Sequence, residues 1–282
     1  MTTTRGVVAG YDGSHYSMQA LYWAMDEAEF RQLPLTVSHV WQWPYGEAGE
    51  VARLHLRKAA DHVLWHGVEC ARASSSVTDV RGDLWEGSAG DRLVALSAEA
   101  DLVVVGSRGL GGVSRLVIGS VAGHVAAHAH CPVIVVRGPG PLPVDLEPGP
   151  IVVGLSDDTT LDFAFREAEQ RQIPLLAIHG GGPPPLFAGT ALPPLLDLAP
   201  YQQALQESFD VWRSRYPTVT CQARIENTAA KNVLVEASHQ ARLLVVGRRR
   251  HGHLGLVTRA ALHHACCPVA IVPALESKHG LC

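Results

Sequence analysis

Residues 100–121 read ADLVVVGSRGLGGVSRLVIGSV. The opening ADLVVV is rich in Val and does not alternate, the pattern of a strand buried on both faces. Residues 106–112 then hold four glycines, and the stretch closes on Gly119-Ser120 before a helical pattern, SVAGHVAAHAH (120–130). Backbone this permissive is costly in chain entropy, so a use for it is expected. Upstream, RGVVAG (5–10), LTVSHV (35–40) and SVTDVR (76–81) read as further strands, and PVIVVR (132–137) as a last one. Between them MQALYWAMDEAEFRQ (18–32), VARLHLRKAADHVLWHGVECARA (51–73) and SAGDRLVALSAE (88–99) carry apolar residues at helical spacing, with Ser88 as an N-cap. Strand–helix alternation with Val-rich strands specifies a parallel sheet with helices on both faces. In such sheets ligands sit at the carboxyl ends of the strands, where GSRGLGG begins.

The pattern occurs twice. RQLPL (31–35) returns as RQIPL (171–175), AMDEAEFR (24–31) as AFREAEQR (164–171), DLVVVGSR (101–108) as RLLVVGRR (242–249), and HAHCPVIVV (128–136) as HACCPVAIV (264–272). A period near 140 residues is a domain duplication rather than a solenoid unit. The stretch GPGPLPVDLEPGP (138–150) is too rich in Pro and Gly for helix or central strand. The expected organisation is a first domain over 1–138, a linker over 139–150 and a second domain over 151–282.

Composition excludes several classes. The chain has 282 residues, 47% hydrophobic and 18% charged, with Lys+Arg 23 against Asp+Glu 27 and a net charge of −4. This is a globular chain with a large core, and no basic field points to nucleic acid. No apolar run reaches a membrane span, and MTTTRGVVAGYDGS lacks a signal-peptide core. Six scattered cysteines without CxxC spacing fit a reducing compartment, so a cytoplasmic setting is expected. His62/His66 and His124/His128 have i,i+4 spacing but lack a third ligand or an HExxH motif, so polar-face or interface histidines are the better reading. Cys266-Cys267 read as packing residues.

The glycine loop can cradle an anion. Successive N–H groups of a Gly-rich turn form a nest, and the first N–H groups of the helix opened by Ser120 attract negative charge. Arg108 and Arg115 add positive charge. A plain strand–helix connection capped by Ser120 is the competing reading. Neither GxxxxGK[ST] nor GxGxxG is present, against a Walker or Rossmann site. The spacing Gly106-x2-Gly109-x9-Gly119-Ser120 instead resembles the ATP-binding signature G-x2-G-x9-G-[ST] of the universal stress protein family. GYDGS (10–14) resembles that family's first loop, His39-Val40 the end of its second strand, and HAHCPVIVV its closing helix and strand. The resemblance covers both halves.

It implies two doubly wound domains, each with a five-stranded parallel sheet in the order 3-2-1-4-5 with helices on both faces. It also implies an intrachain pseudo-dimer through the last strands PVIVV and PVAIV, with further homodimerisation left open. It implies that Gly106, Gly109, Gly119 and Ser120, with Arg108 and Val121, hold the triphosphate of ATP. By the same carry-over Asp12 lies by the ribose or a nucleotide-bound Mg2+, Val40 meets adenine through its main chain, and Ala9 and Gly10 line the base pocket.

The second repeat departs from this pattern. Gly10 to Leu35 is 25 steps, but Gly154 to Leu175 is 21; Gly106 to Pro132 is 26 steps, but Gly247 to Pro268 is 21. Ser156 faces Asp12, Arg250 stands for Gly109, and Gly255-Leu256 replaces Gly119-Ser120. A non-Gly residue rarely supplies φ > 0, so one nucleotide site per chain is expected, in the first repeat. The cluster Arg248–His251 reads as a solvated basic loop, and the apolar stretch 180–200 as a cover or a partner surface. No catalytic base or nucleophile stands out. The expected function is an ATP-binding regulatory protein of the stress response, with little or no turnover and an unidentified protein partner. A slow ATPase and a nucleotide-free scaffold are the alternatives.

Overall fold

A computed structural model describes residues 6–43, 49–109, 118–137, 149–181, 199–249 and 251–274. Most of the linker, the stretch 182–198, Arg115 and Arg250 lie outside the described residues. The chain divides into two compact units. In the first, β1 (Val7–Gly10), α1 (His15–Arg31), β2 (Leu35–Trp41), α2 (Glu50–Ser74), β3 (Val80–Glu86), α3 (Ala89–Ser97), β4 (Leu102–Gly106), α4 (Ser120–His128) and β5 (Val133–Val136) follow in order. The strands are all parallel, arranged β3-β2-β1-β4-β5. α1 and α2 cover one face and α3 and α4 the other. β4 and β5 are buried along almost their whole length, as their unbroken Val runs require.

The second unit repeats this with β6 (Ile151–Gly154), α5 (Asp158–Arg171), β7 (Leu175–Gly180), α6 (Ala199–Ser208), α7 (Asp210–Arg215), β8 (Cys221–Glu226), α8 (Ala230–Ala237), β9 (Leu243–Arg248), α9 (Leu256–His264) and β10 (Val269–Pro273). Its strands run β8-β7-β6-β9-β10, again parallel. The duplication holds at the level of register. Val7 pairs with Leu35 and Leu102, and Ile151 with Leu175 and Leu243. Val103 pairs with Val133, and Leu244 with Val269. The length differences therefore fall between the strands: α1 has 17 residues and α5 has 14.

Two devices recur at an offset of 140, one of the backbone and one of side chains. α1 and α5 end on Gln32 and Gln172, each left-handed at φ 53° and 55°. Their backbone N–H groups donate to the last carbonyls of the helix, the role usually given to glycine. On the buried side of the same helices Glu27 and Glu167, both 0% exposed, pair with Arg31 and Arg171 one turn on. Such charges must be paired to be buried at all. Trp23 Nε1 also donates to Glu27, at 2.9 Å.

One strand is displaced from its expected place. SVTDVR was the sequence candidate, but residues 76–79 precede the strand and β3 runs on through Gly82, Asp83 and Trp85. As the edge of its sheet it buries only Val80 fully, so its apolar signal is weak. The corresponding strand β8 starts at Cys221, whose thiol is pushed up to about 11 by burial. A thiol held there carries about a hundredfold less thiolate at pH 8 than one near the ordinary value. Native-state alkylation with iodoacetamide at pH 8, read by mass spectrometry, should label the exposed Cys266 well before Cys221. Equal rates would contradict the burial account.

Candidate functional site

The carboxyl ends of β1, β2 and β4 surround a cavity of about 490 Å3. β1 and β4 are the strands between which the chain order reverses, the place where open parallel sheets hold ligands. Nine of the ten residues expected there line it: Gly10, Asp12, Val40, Gly106, Arg108, Gly109, Gly119, Ser120 and Val121. Ala9 does not; it is fully buried within β1. Its side chain belongs to the core, and the next residues along the strand reach the cavity instead. The size is that of an ordinary small-molecule site.

Local hydrogen bonds shape the first loop. Asp12 Oδ1 accepts from Ser14 N at 3.0 Å, and Ser14 caps α1 by accepting from Ser17 N at 3.2 Å. Ser17 Oγ accepts from Asp12 N and donates to the Ser14 carbonyl. The intervening Gly13 has φ +81°, which favours glycine. Tyr11 reaches away to α2, its hydroxyl 2.9 Å from His66 Nδ1, and burial pushes its phenol above the ordinary value.

The described glycines of the second loop serve close approach, not left-handed backbone. Neither Gly106, Gly109 nor Gly119 has positive φ, which corrects the reason expected for them. A Cβ on Gly106 would lie 2.7 Å from the Tyr16 carbonyl oxygen, and one on Gly109 would lie 2.4 Å from Asp12 Oδ2. Gly119 N donates to the Ser107 carbonyl at 2.8 Å, drawing the two ends of the loop together. Gly119, rather than Ser120, is the N-cap of α4, and among the described residues no side chain caps that helix. The first intrahelical bond is Gly123 N to Gly119 O, so the amides of Ser120, Val121 and Ala122 precede it. Arg108 is held over the Tyr16 ring, 5.1 Å from its centroid, and donates to the Tyr16 hydroxyl at 2.9 Å. One side of the cavity thus collects an uncapped helix start and a guanidinium, with a carboxylate nearby. Another side is apolar, from Leu93, Ala89 and Val105.

A family model described as the universal stress protein family matches residues 3–137 and 150–273. The chain belongs to the universal stress protein family. It is similar to "Universal stress protein Rv2005c" of Mycobacterium tuberculosis, 30% identical over 287 residues that cover 94% of this chain and 96% of that one. The crystal structure of a universal stress protein from Archaeoglobus fulgidus DSM 4304 has the same fold, with TM-score 0.70 over 96% of each chain at 15% identity. A universal stress protein solved in complex with cAMP is 28% identical over 48% of this chain and 98% of its own, with TM-score 0.40.

As two universal stress protein repeats, the halves differ at the site. In the second, a Cβ on Gly247, the counterpart of Gly106, would meet Ser156 Oγ at 2.4 Å and Thr160 Oγ1 at 2.8 Å. Gly180, the counterpart of Val40, lies against the backbone of Ala230 and Thr228. α9 keeps a glycine N-cap, Gly255, but the next residue is an exposed Leu256. Among the described residues no group of three or more His, Cys, Asp or Glu could hold a metal ion. No described helix is long and apolar enough to cross a membrane. Sequence reading missed Tyr16 and Ser17 at the start of α1, Ser38 in the middle of β2 and Leu93 in the middle of α3, places that carry no motif.

Proposed function

We propose that the first repeat binds ATP in this cavity and that the chain is an ATP-binding regulatory member of its family. The observation that carries this reading is the uncapped start of α4, brought beside Gly109 and Arg108 by the Gly119–Ser107 hydrogen bond. Backbone amides at a helix start and a guanidinium suit phosphate oxygens. The apolar wall of Leu93, Ala89 and Val105 suits a base. Asp12 fits a phosphate-bound Mg2+, since its Oδ2 is turned toward Gly109. No step of hydrolysis is assigned to these groups. In the second repeat the hydroxyls of Ser156 and Thr160 take up the room beside Gly247, which supports one site per chain.

Calorimetric titration of nucleotide-free protein with ATP and Mg2+ tests this, with ADP, AMP and cAMP as competitors. A stoichiometry near one is expected. A value near two would overturn the assignment to one repeat. No binding would move the chain to a scaffold role. Steady phosphate release at a useful rate would favour the ATPase reading instead.

A further inference from the structure

Resting on the reading of the cavity as an adenine nucleotide site, we infer that Ser38 selects the base by accepting a hydrogen bond from its 6-amino group. Asp83 and Arg92 act as positioning residues that make the Ser38 hydroxyl an acceptor only.

The placement follows from the sheet. Gly10 pairs with Ser38, and Ser38 with Asp83, so the three stand in one row across β1, β2 and β3. A Cβ on Gly10 would meet Leu93 of α3 and Val105 of β4, both at 3.1 Å, so this row faces the apolar side of the cavity. Ser38 lines the cavity floor and is only 2% exposed. A polar group that deep should have a partner on each side it can use.

Its hydroxyl is already committed. Ser38 Oγ donates to Asp83 Oδ2 at 2.8 Å. Arg92 grips the same carboxylate with both arms, Nε to Oδ2 at 3.1 Å and Nη2 to Oδ1. The Arg92 guanidinium is itself stacked 4.4 Å over the Trp85 ring, and the Asp83 carboxylate holds it firmly protonated. Both Asp83 oxygens accept in this fork, Oδ2 from Arg92 Nε as well as from Ser38 Oγ and Oδ1 from Arg92 Nη2. The Ser38 proton must therefore point at Asp83, and the hydroxyl offers the cavity lone pairs alone. A ligand edge that donates is satisfied there; one that presents a carbonyl sets two acceptors against each other away from water.

An ion pair between α3 and β3 would need no serine, so fastening the helix does not explain Ser38. The second repeat makes the same point. At the corresponding positions it has Ile178, Arg224 and Val233, with Leu234 in the place of Leu93 against Gly154. The polar row is present in the repeat that has the glycine spacing and replaced in the one that lacks it.

The test compares ATP with ITP, which differ by the 6-amino and 6-oxo groups. Affinities are measured by calorimetry on wild type, Ser38→Ala and Asp83→Asn, with melting temperatures for each. Wild type should prefer ATP by about 30-fold. Ser38→Ala should bring that ratio to within about threefold. Asp83→Asn lets the amide donate to Ser38 and frees its hydroxyl to donate into the cavity, so ITP binding should rise as ATP binding falls. A purely structural role would weaken both nucleotides together. ATP binding with an unchanged ratio in Ser38→Ala, or no discrimination in wild type, overturns the role of Ser38 while leaving the nucleotide site standing. Failure of either nucleotide to bind wild type overturns both.

Discussion

Ser120→Asp is expected to weaken ATP binding by about a hundredfold while leaving the fold as stable as before or slightly more so. The position is exposed and is the first residue of α4, whose N-cap Gly119 supplies no side chain. A carboxylate in the first turn interacts favourably with the helix dipole and is worth about 0.5 kcal/mol to the folded state. The same carboxylate faces any phosphate resting on the amides of Ser120, Val121 and Ala122. Two anionic groups competing for those amides oppose binding by about 3 kcal/mol, the free energy of that hundredfold loss. Calorimetry and thermal denaturation on one preparation read both effects. A variant that melts at or above the wild-type temperature and still binds ATP fully would place the phosphates elsewhere. Ser120→Asn, which keeps the polarity without the charge, should retain most of the affinity.

Gly106→Ala is expected to fail on both counts. Its Cβ would enter the first turn of α1, 2.7 Å from the Tyr16 carbonyl oxygen and 3.1 Å from Ser17 N. These are backbone atoms of a capped helix, which cannot turn aside as a side chain can. Overpacking of this kind costs about 2 kcal/mol, or about 6 °C in melting temperature for a unit of this size. Moving α1 also moves Tyr16, which steadies Arg108, and Ser17, which holds the Asp12 loop. ATP affinity should fall at least tenfold. Gly109→Ala makes the contrast. Among the described residues its new methyl meets only the carboxylate of Asp12, so stability should hold within about 1 °C while affinity drops about tenfold. Equal melting temperatures for the two variants would contradict the distinction between backbone and side-chain contact.

Much of the fold was legible because burial and repetition reinforce each other. The Val runs of β1, β4 and β5 can be nothing but buried parallel strands once helices alternate with them, and the repeat at RQLPL and RQIPL doubles the signal. β3 was misplaced because an edge strand needs little apolar surface, and Arg81, Gly82 and Asp83 hide it. The glycine spacing, with the family resemblance it carries, picked out nine of the residues that line the cavity, but not the reason for the glycines. Spacing reports where side chains are missing; only geometry shows that Tyr16 and Asp12 occupy the room they leave. Ala9 was misassigned for a related reason, since alternate strand residues face opposite ways and a motif read along the chain ignores this. Ser38 carried one faint sign, a polar residue where the second repeat has Ile178, and a strand position that turns polar in one copy alone is worth asking about.

The matched registers of the two halves make each sheet an interchangeable mount. Val7 and Ile151 take corresponding neighbours although the connections that follow, turn and helix together, differ in length, α1 having 17 residues and α5 having 14. A duplicated chain built this way can surrender a ligand in one copy by shortening its connections, with no strand re-paired. It can regain one as readily: grafting the turns of the first copy onto the second needs a fresh pair of connections, not a new scaffold.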